Sequence, residues 1–174
     1  MNPRQVLIII DAQVNMFDEN FSIFDSDRII NVLSSLIDKA HEKNVPVIYV
    51  RNNGDDGEPD QPGTPGWEIH PSIKPQVDDI VIDKQGPDAF HNTDLAKVLK
   101  KQGITDLVIA GMQTEMCVET SSRRAVELGY DVILVEDGHS TFNFDDLNAE
   151  NEISRVNREI KAIAKIVKAD NIEF

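Results

Sequence analysis

Three side chains with complementary chemistry sit just past apolar runs that read as strands. Asp11 follows Val6–Ile10, Lys84 follows residues 80–83, and Cys117 comes shortly after residues 107–110. A carboxylate, an amine and a thiol gathered on one rim suit nucleophilic catalysis. The carboxylate can take the thiol proton, and a nearby lysine can lower the thiol pKa. Gln13 lies two residues beyond Asp11, and Asp137 follows Val132–Val135 as a fourth strand-end candidate.

Cys117 is the only cysteine, which excludes an internal disulfide and a multi-cysteine zinc site. If Thr114 is an N-cap, Cys117 falls at the third position of a helix. There the unpaired amides and the positive end of the helix dipole would lower the thiol pKa. The same amides could hold an oxyanion. A competing reading treats Cys117 as a small core residue, Asp11 as a cap and Lys84 as a solvated loop lysine.

The elements that must position these groups follow from periodicity. Val6–Ile10 is a continuous β-branched and leucine run, as in a strand buried on both faces. Ser26 or Asp27 is the expected cap of a helix with Ile29, Leu33, Leu36, Ile37 and Ala40 on one face. Residues 45–50 form the next strand, with Pro46 at its start. Residues 51–78 are crowded with Gly, Pro and Asp, so an ordered, lid-like loop carrying the sole tryptophan, Trp67, is expected. A strand over 80–83 precedes a helix capped by Asn92 or Thr93, with Leu95, Val98 and Leu99 inward and Gly103 at its end. After the strand at 107–110, a helix from Thr114 to about Leu128 ends at Gly129. A strand at 132–135, a last helix over 147–165 with Ile153, Val156, Ile160 and Ile163 on one face, and a short edge strand at 166–167 complete the chain. Alternating strands and helices predict a three-layer α/β/α, doubly wound parallel sheet in a single domain spanning residues 1–174. In such sheets ligands bind beyond the carboxyl ends of the strands.

Composition narrows the partners. Lys plus Arg number 17 against 31 Asp plus Glu, a formal net charge of −14. That balance argues against nucleic acid and against an anionic membrane surface. The first apolar run is only five residues, and none approaches the roughly 18 needed to span a bilayer. A cytoplasmic protein acting on a small molecule is the expectation. His41, on the polar side of a helix, reads as solvated, and His70 and His91 read as surface loop residues. None of the histidines, His139 included, forms a metal-like pair, so no metal site and no cofactor are expected. No glycine-rich phosphate cradle is present.

The chain resembles the isochorismatase-like cysteine hydrolase superfamily. The resemblance rests on VLIIIDAQVNMF, on HPSIKP followed by IDKQGPDAFHNTDLAKVLKKQGI, and on LVIAGMQTEMCVETSSRRAVELGYDVILVEDGHSTF, in that order, from residue 6 to about 142. The block GMQTEMCVETSSRRA is most similar to small cysteine hydrolases of the streptothricin-hydrolase-like group. The resemblance implies a Rossmann-like fold and a triad of Asp11 as base, Lys84 as electrostatic support and Cys117 as nucleophile. It also implies a cis peptide before Gln113, an oxyanion hole from the Gln113 and Cys117 amides, and a homo-oligomer, dimer or tetramer. The Asp-x-His metal motif of nicotinamidases is missing from Arg51-Asn52-Asn53-Gly54-Asp55-Asp56.

The expected activity is hydrolysis of a small amide or other C–N bond through a thioester. Gln13, Phe17, Trp67, Phe90, Met112 and Met116 are the candidate substrate-pocket residues. The alternatives are an isochorismatase-type vinyl-ether hydrolase, a phosphoacceptor module built on Asp11 and Lys84, and a catalytically silent oligomeric binding protein. Glu115 can shape the pocket or simply start a helix.

Overall fold

The computed structural model describes residues 4–174. Six strands form one parallel sheet in the order β5-β4-β1-β6-β7-β8: β1 (Gln5–Ile10), β4 (Val47–Asn52), β5 (Ile80–Lys84), β6 (Asp106–Met112), β7 (Asp131–Ser140) and β8 (Lys165–Val167). Phe17–Asp18 (β2) and Phe21–Ser22 (β3) make a separate antiparallel pair. The helices are α1 (Ser26–Glu42), α2 (Leu95–Gln102), α3 (Glu119–Glu127) and α4 (Ala149–Ile160). The predicted doubly wound sheet is therefore present.

Successive residues of β1 feed opposite cores, as the two-residue strand period requires. Leu7 and Ile9 pack with Ile29, Leu33, Leu36, Ile37 and Ala40 of α1. Val6, Ile8 and Ile10 pack with Leu95 and Leu99 of α2, Ala125 of α3, and Val156 and Ile160 of α4. The sheet runs outward from β1 through β4 on one side and through β6 on the other. The topological switch point thus lies at the carboxyl ends of β1 and β6, the place where such sheets bind ligands.

Several boundaries differ from the sequence expectation. Asp25, not Ser26 or Asp27, occupies the N-cap position of α1, in a left-handed conformation with φ 54°. Its carboxylate meets Arg28 instead of the helix amides. Helix α2 begins at Leu95, because Thr93 Oγ1 donates to Ala89 O at 2.6 Å and accepts from Leu95 N at 3.3 Å, forming a turn ahead of the helix. Gly103 ends α2 with φ 69°, as expected. The last helix stops at Ile160, so Ile163 lies beyond it and is 44% exposed. Strand β7 continues through a register irregularity to Ser140, which removes Asp137 from the rim. The Asp137 carboxylate accepts from Ala169 N at 2.8 Å. His41 is not solvated: its Nε2 lies 2.9 Å from Asp79 Oδ1, and its Nδ1 lies 3.1 Å from the Gln76 amide.

The stretch 51–78 gives its first two residues to β4 and then folds through single turns at Pro65–Trp67 and Pro71–Ile73. It is tied back to the β1 end by Val14 N to Glu68 O at 2.8 Å and His70 N to Ala12 O at 3.0 Å. No helix among the described residues is long and apolar enough to cross a membrane.

Candidate active site

Asp11 ends β1 by turning into the left-handed region, with φ 48°, while its amide still donates to Val50 O at 2.8 Å. The turn drops its carboxylate into the interior at the switch point, where it is 1% exposed. Lys84 closes β5 and is equally buried. Its Nζ lies 2.8 Å from Asp11 Oδ2, 2.9 Å from Gly86 O, 3.2 Å from Asn52 Oδ1 and 3.4 Å from Cys117 Sγ. The fold therefore brings together Asp11 just past β1, Lys84 at the end of β5 and Cys117 in the turn after β6. Among the described residues Asp11 Oδ1 has no hydrogen-bond partner, which leaves one carboxylate oxygen as an acceptor.

Cys117 does not sit at the third position of an α-helix capped by Thr114. Residues Thr114–Val118 form a π-helical turn with Gln113 as its N-cap, and α3 follows it. The Gln113 carbonyl accepts from Met116 N at 3.2 Å and Val118 N at 3.1 Å. The Met112–Gln113 peptide is cis. Thr114 is pulled inward because its hydroxyl meets His139 Nδ1 at 2.9 Å; His139 Nε2 meets Asn157 Oδ1 at 3.0 Å. Asn157 Nδ2 donates to Glu136 O, so Asn157 Oδ1 can only accept from His139. His139 is thereby a neutral imidazole protonated at Nε2, receiving the Thr114 hydroxyl at Nδ1. Burial pushes its pKa down to about 4.

The electrostatics reverse one expectation. Burial pushes the Cys117 thiol up to about 12; the Asp11 carboxylate adds to that rise, and Lys84 opposes it. Desolvation disfavours the thiolate more than one ammonium at 3.4 Å favours it. Burial also raises Asp11 above the ordinary carboxylate range, against the pull of Lys84. Burial disfavours the Lys84 ammonium, but Asp11 and then Cys117 outweigh it and keep the lysine charged. The resting site is a neutral thiol beside an ion pair.

The candidate pocket residues separate into different environments. Gln13 is fully buried and its amide is fully used: Nε2 donates to Asn52 O at 2.9 Å and Trp67 O at 3.0 Å, and Oε1 accepts from Asn52 N at 2.8 Å. It clamps the loop rather than lining a pocket. Met112 is in the core facing α1, the same side as Ala110, as strand alternation dictates. Phe90 stacks on Tyr130 with centroids 6.0 Å apart, at the turn entering the amino end of β7 and away from the rim. Trp67 donates Nε1 to Asn53 Oδ1 at 2.8 Å, and the Arg51 guanidinium covers its ring at 3.4 Å. Phe17 packs against His70, while Met116, within the cysteine turn, is 50% exposed. Glu115 accepts from the Thr141 hydroxyl at 2.8 Å. Hollows lie between loop residues 52–62 and Gln85–Gly86, and Asp11, Lys84 and Cys117 are not among the residues that line them.

Three participants were not singled out as site residues from sequence: Asn52, Asp60 and His139. Asn52 ends β4, so the strand-end rule points to it. Asp60 carries no such signal within a Gly- and Pro-rich loop.

The sequence model of the isochorismatase domain matches residues 5–169. Two streptothricin hydrolases of Streptomyces noursei are 32% and 33% identical, over 82% and 86% of this chain. The chain spans only about half the length of those proteins, 57% and 53%. The ureidoacrylate amidohydrolase of Agrobacterium fabrum (strain C58 / ATCC 33970) is 30% identical, covering 67% of this chain and 64% of that protein. An isochorismatase of Pseudomonas putida KT2440 superposes with a TM-score of 0.88 at 30% identity, covering 98% of this chain and 90% of that one. A cysteine hydrolase of Pseudomonas syringae pv. phaseolicola 1448A gives 0.88 at 23% identity, over 96% and 89%, which speaks for the fold alone. Fold and comparisons define the class, an isochorismatase domain on a doubly wound α/β sheet. The chain belongs to the isochorismatase family.

Proposed function

We propose that this chain is a cysteine hydrolase of a small amide or ureido-type C–N bond, working through a thioester on Cys117. The observation that carries this is Lys84 Nζ placed 2.8 Å from Asp11 Oδ2 and 3.4 Å from Cys117 Sγ in a buried site. The likeness to an amidohydrolase and to streptothricin hydrolases supports the reaction class.

The thiol is neutral at rest, so the proton leaves as the bond forms. Cys117 Sγ attacks the carbonyl carbon while Asp11 takes the S–H proton. Asp11 Oδ1, the carboxylate oxygen without a hydrogen-bond partner among the described residues, is the acceptor available. Its raised pKa makes it a stronger base than an exposed carboxylate. The oxyanion is received by the Gln113 and Cys117 backbone amides. Protonated Asp11 returns the proton to the departing nitrogen, the C–N bond breaks, and an amine or ammonia leaves. Water then attacks the thioester, Asp11 takes its proton, and collapse releases the acid and restores Cys117 S–H. Lys84 remains charged throughout and fixes the Asp11 carboxylate.

The phosphoacceptor alternative requires carboxylates clustered for Mg²⁺. The immediate partners of Asp11 are instead an amine and a thiol. The test is a panel of small amides and ureides, read by ammonia release, with the parent and Cys117→Ala in parallel. The parent releases ammonia from at least one member and Cys117→Ala releases none. Equal release by both overturns the assignment.

A further inference from the structure

Lys84 can support both Asp11 and Cys117 only if its ammonium is held between them, and two of its four contacts come from elsewhere. One is the Gly86 carbonyl, a main-chain acceptor at 2.9 Å. The other is Asn52 Oδ1, at 3.2 Å, on a side chain whose amide can flip. The main chain of Asn52 is already fixed on both sides by Gln13. What decides the direction of its carboxamide is Asp60, whose Oδ2 accepts from Asn52 Nδ2 at 2.7 Å. A carboxylate only accepts. A flipped Asn52 would set its oxygen against the Asp60 carboxylate and its NH2 against the Lys84 ammonium, two repulsive contacts in place of two hydrogen bonds.

The loop is shaped to deliver Asp60 to this point. Gly54 N donates to Asp60 O at 2.9 Å. A Cβ on Gly54 would stand 2.1 Å from Asp60 Oδ1, so only glycine leaves room for that carboxylate.

We propose that Asp60 is a positioning residue: through Asn52 it holds the Lys84 ammonium between Asp11 and Cys117, so that the loop over residues 53–62 tunes the nucleophile without touching it. The inference rests on the hydrolase assignment above for its meaning, but its test does not need a substrate. Cys117 is the sole thiol, so iodoacetamide reports on it alone. Lys84 favours the thiolate, so releasing Lys84 from Asn52 slows alkylation at a given pH. Folding is checked for each variant by its melting temperature.

Alkylation is followed by intact mass from about pH 7 to 10 for the parent, Asp60→Ala, Asp60→Asn and Gly54→Ala. Asp60→Ala frees Asn52 to flip, and Gly54→Ala displaces the Asp60 carboxylate without altering it. Both are expected to react about threefold or more slower than the parent, with the profile displaced to higher pH. Asp60→Asn keeps an acceptor for Asn52 Nδ2 while losing the charge, and is expected within about twofold of the parent. Profiles of folded Asp60→Ala or Gly54→Ala that superpose on the parent overturn the proposal. So does Asp60→Asn slowed as much as Asp60→Ala, because that would assign the effect to charge alone. Hydrolysis by Cys117→Ala equal to the parent's would sink the assignment of Cys117 as nucleophile instead, leaving the alkylation result intact.

Discussion

Lys84 and Asp11 form a buried ion pair, Nζ to Oδ2 at 2.8 Å, with side-chain exposures of 0% and 1%. Neither charge has water to fall back on, so each depends on the other. Removing one partner strands the other, which typically costs about 3–5 kcal/mol. We expect Asp11→Ala and Lys84→Ala each to lose stability on that order in urea unfolding. Asp11→Leu combined with Lys84→Met should recover most of it, because apolar replacement of both partners leaves no stranded charge. All three variants should be inactive. A double variant as unstable as the sum of the singles would contradict the coupling.

Asp11 must be ionised to take the thiol proton, so activity falls as pH drops through its pKa. Burial raises that pKa above the ordinary value. The acid limb of kcat/KM should therefore lie above about pH 4, the usual carboxylate range. A limb at or below that range would remove Asp11 from the base role.

His139 supplies a stability effect of its own. It is fully buried and neutral, with its pKa depressed from 6.5 to about 4. The unfolded chain binds this proton first as pH falls. Its contribution is complete above about pH 6.5, is lost progressively as pH falls toward 4, and amounts to about 3 kcal/mol. Urea unfolding at pH 7 and 4.5 should show this loss in the parent and a smaller one in His139→Gln. An equal loss in both would show that His139 is not its source.

Gly111 precedes Met112 on β6 with φ 132°, and a Cβ there would stand 2.1 Å from Ile10 O. The clash is with the backbone of the neighbouring strand, which cannot rotate away. Gly111→Ala should lower the melting temperature by well over about 5 °C, or prevent soluble expression. A variant melting with the parent would contradict the close approach of β1 and β6.

The sheet was legible because β1 is apolar on consecutive residues, which only a strand covered on both faces tolerates. Asp11 could be picked out because it ends such a run, and Lys84 and the cysteine turn because each follows shortly after one. Thr114 misled: a hydroxyl at a strand-to-helix junction reads as a cap, but His139, 25 residues further on, takes it inward. Met112 misled for a related reason, since a methionine near a site reads as pocket until the strand period assigns it to the α1 side. Asn52, Asp60 and Gln13 form a side-chain network that stitches a loop to two strands, and no local period encodes such a network. The thiol pKa depends on total burial, which spacing alone does not report.

The central claim is a covalent acyl group on Cys117. Once a hydrolysed amide is in hand, acid quenching within the first turnovers and intact-mass measurement test it most directly. The parent should gain the mass of the acyl fragment, mapped to the peptide containing Cys117, while Cys117→Ser shows no such thioester. Steady turnover with no adduct at any quench time, and hydrolysis that persists in Cys117→Ala, would contradict the account.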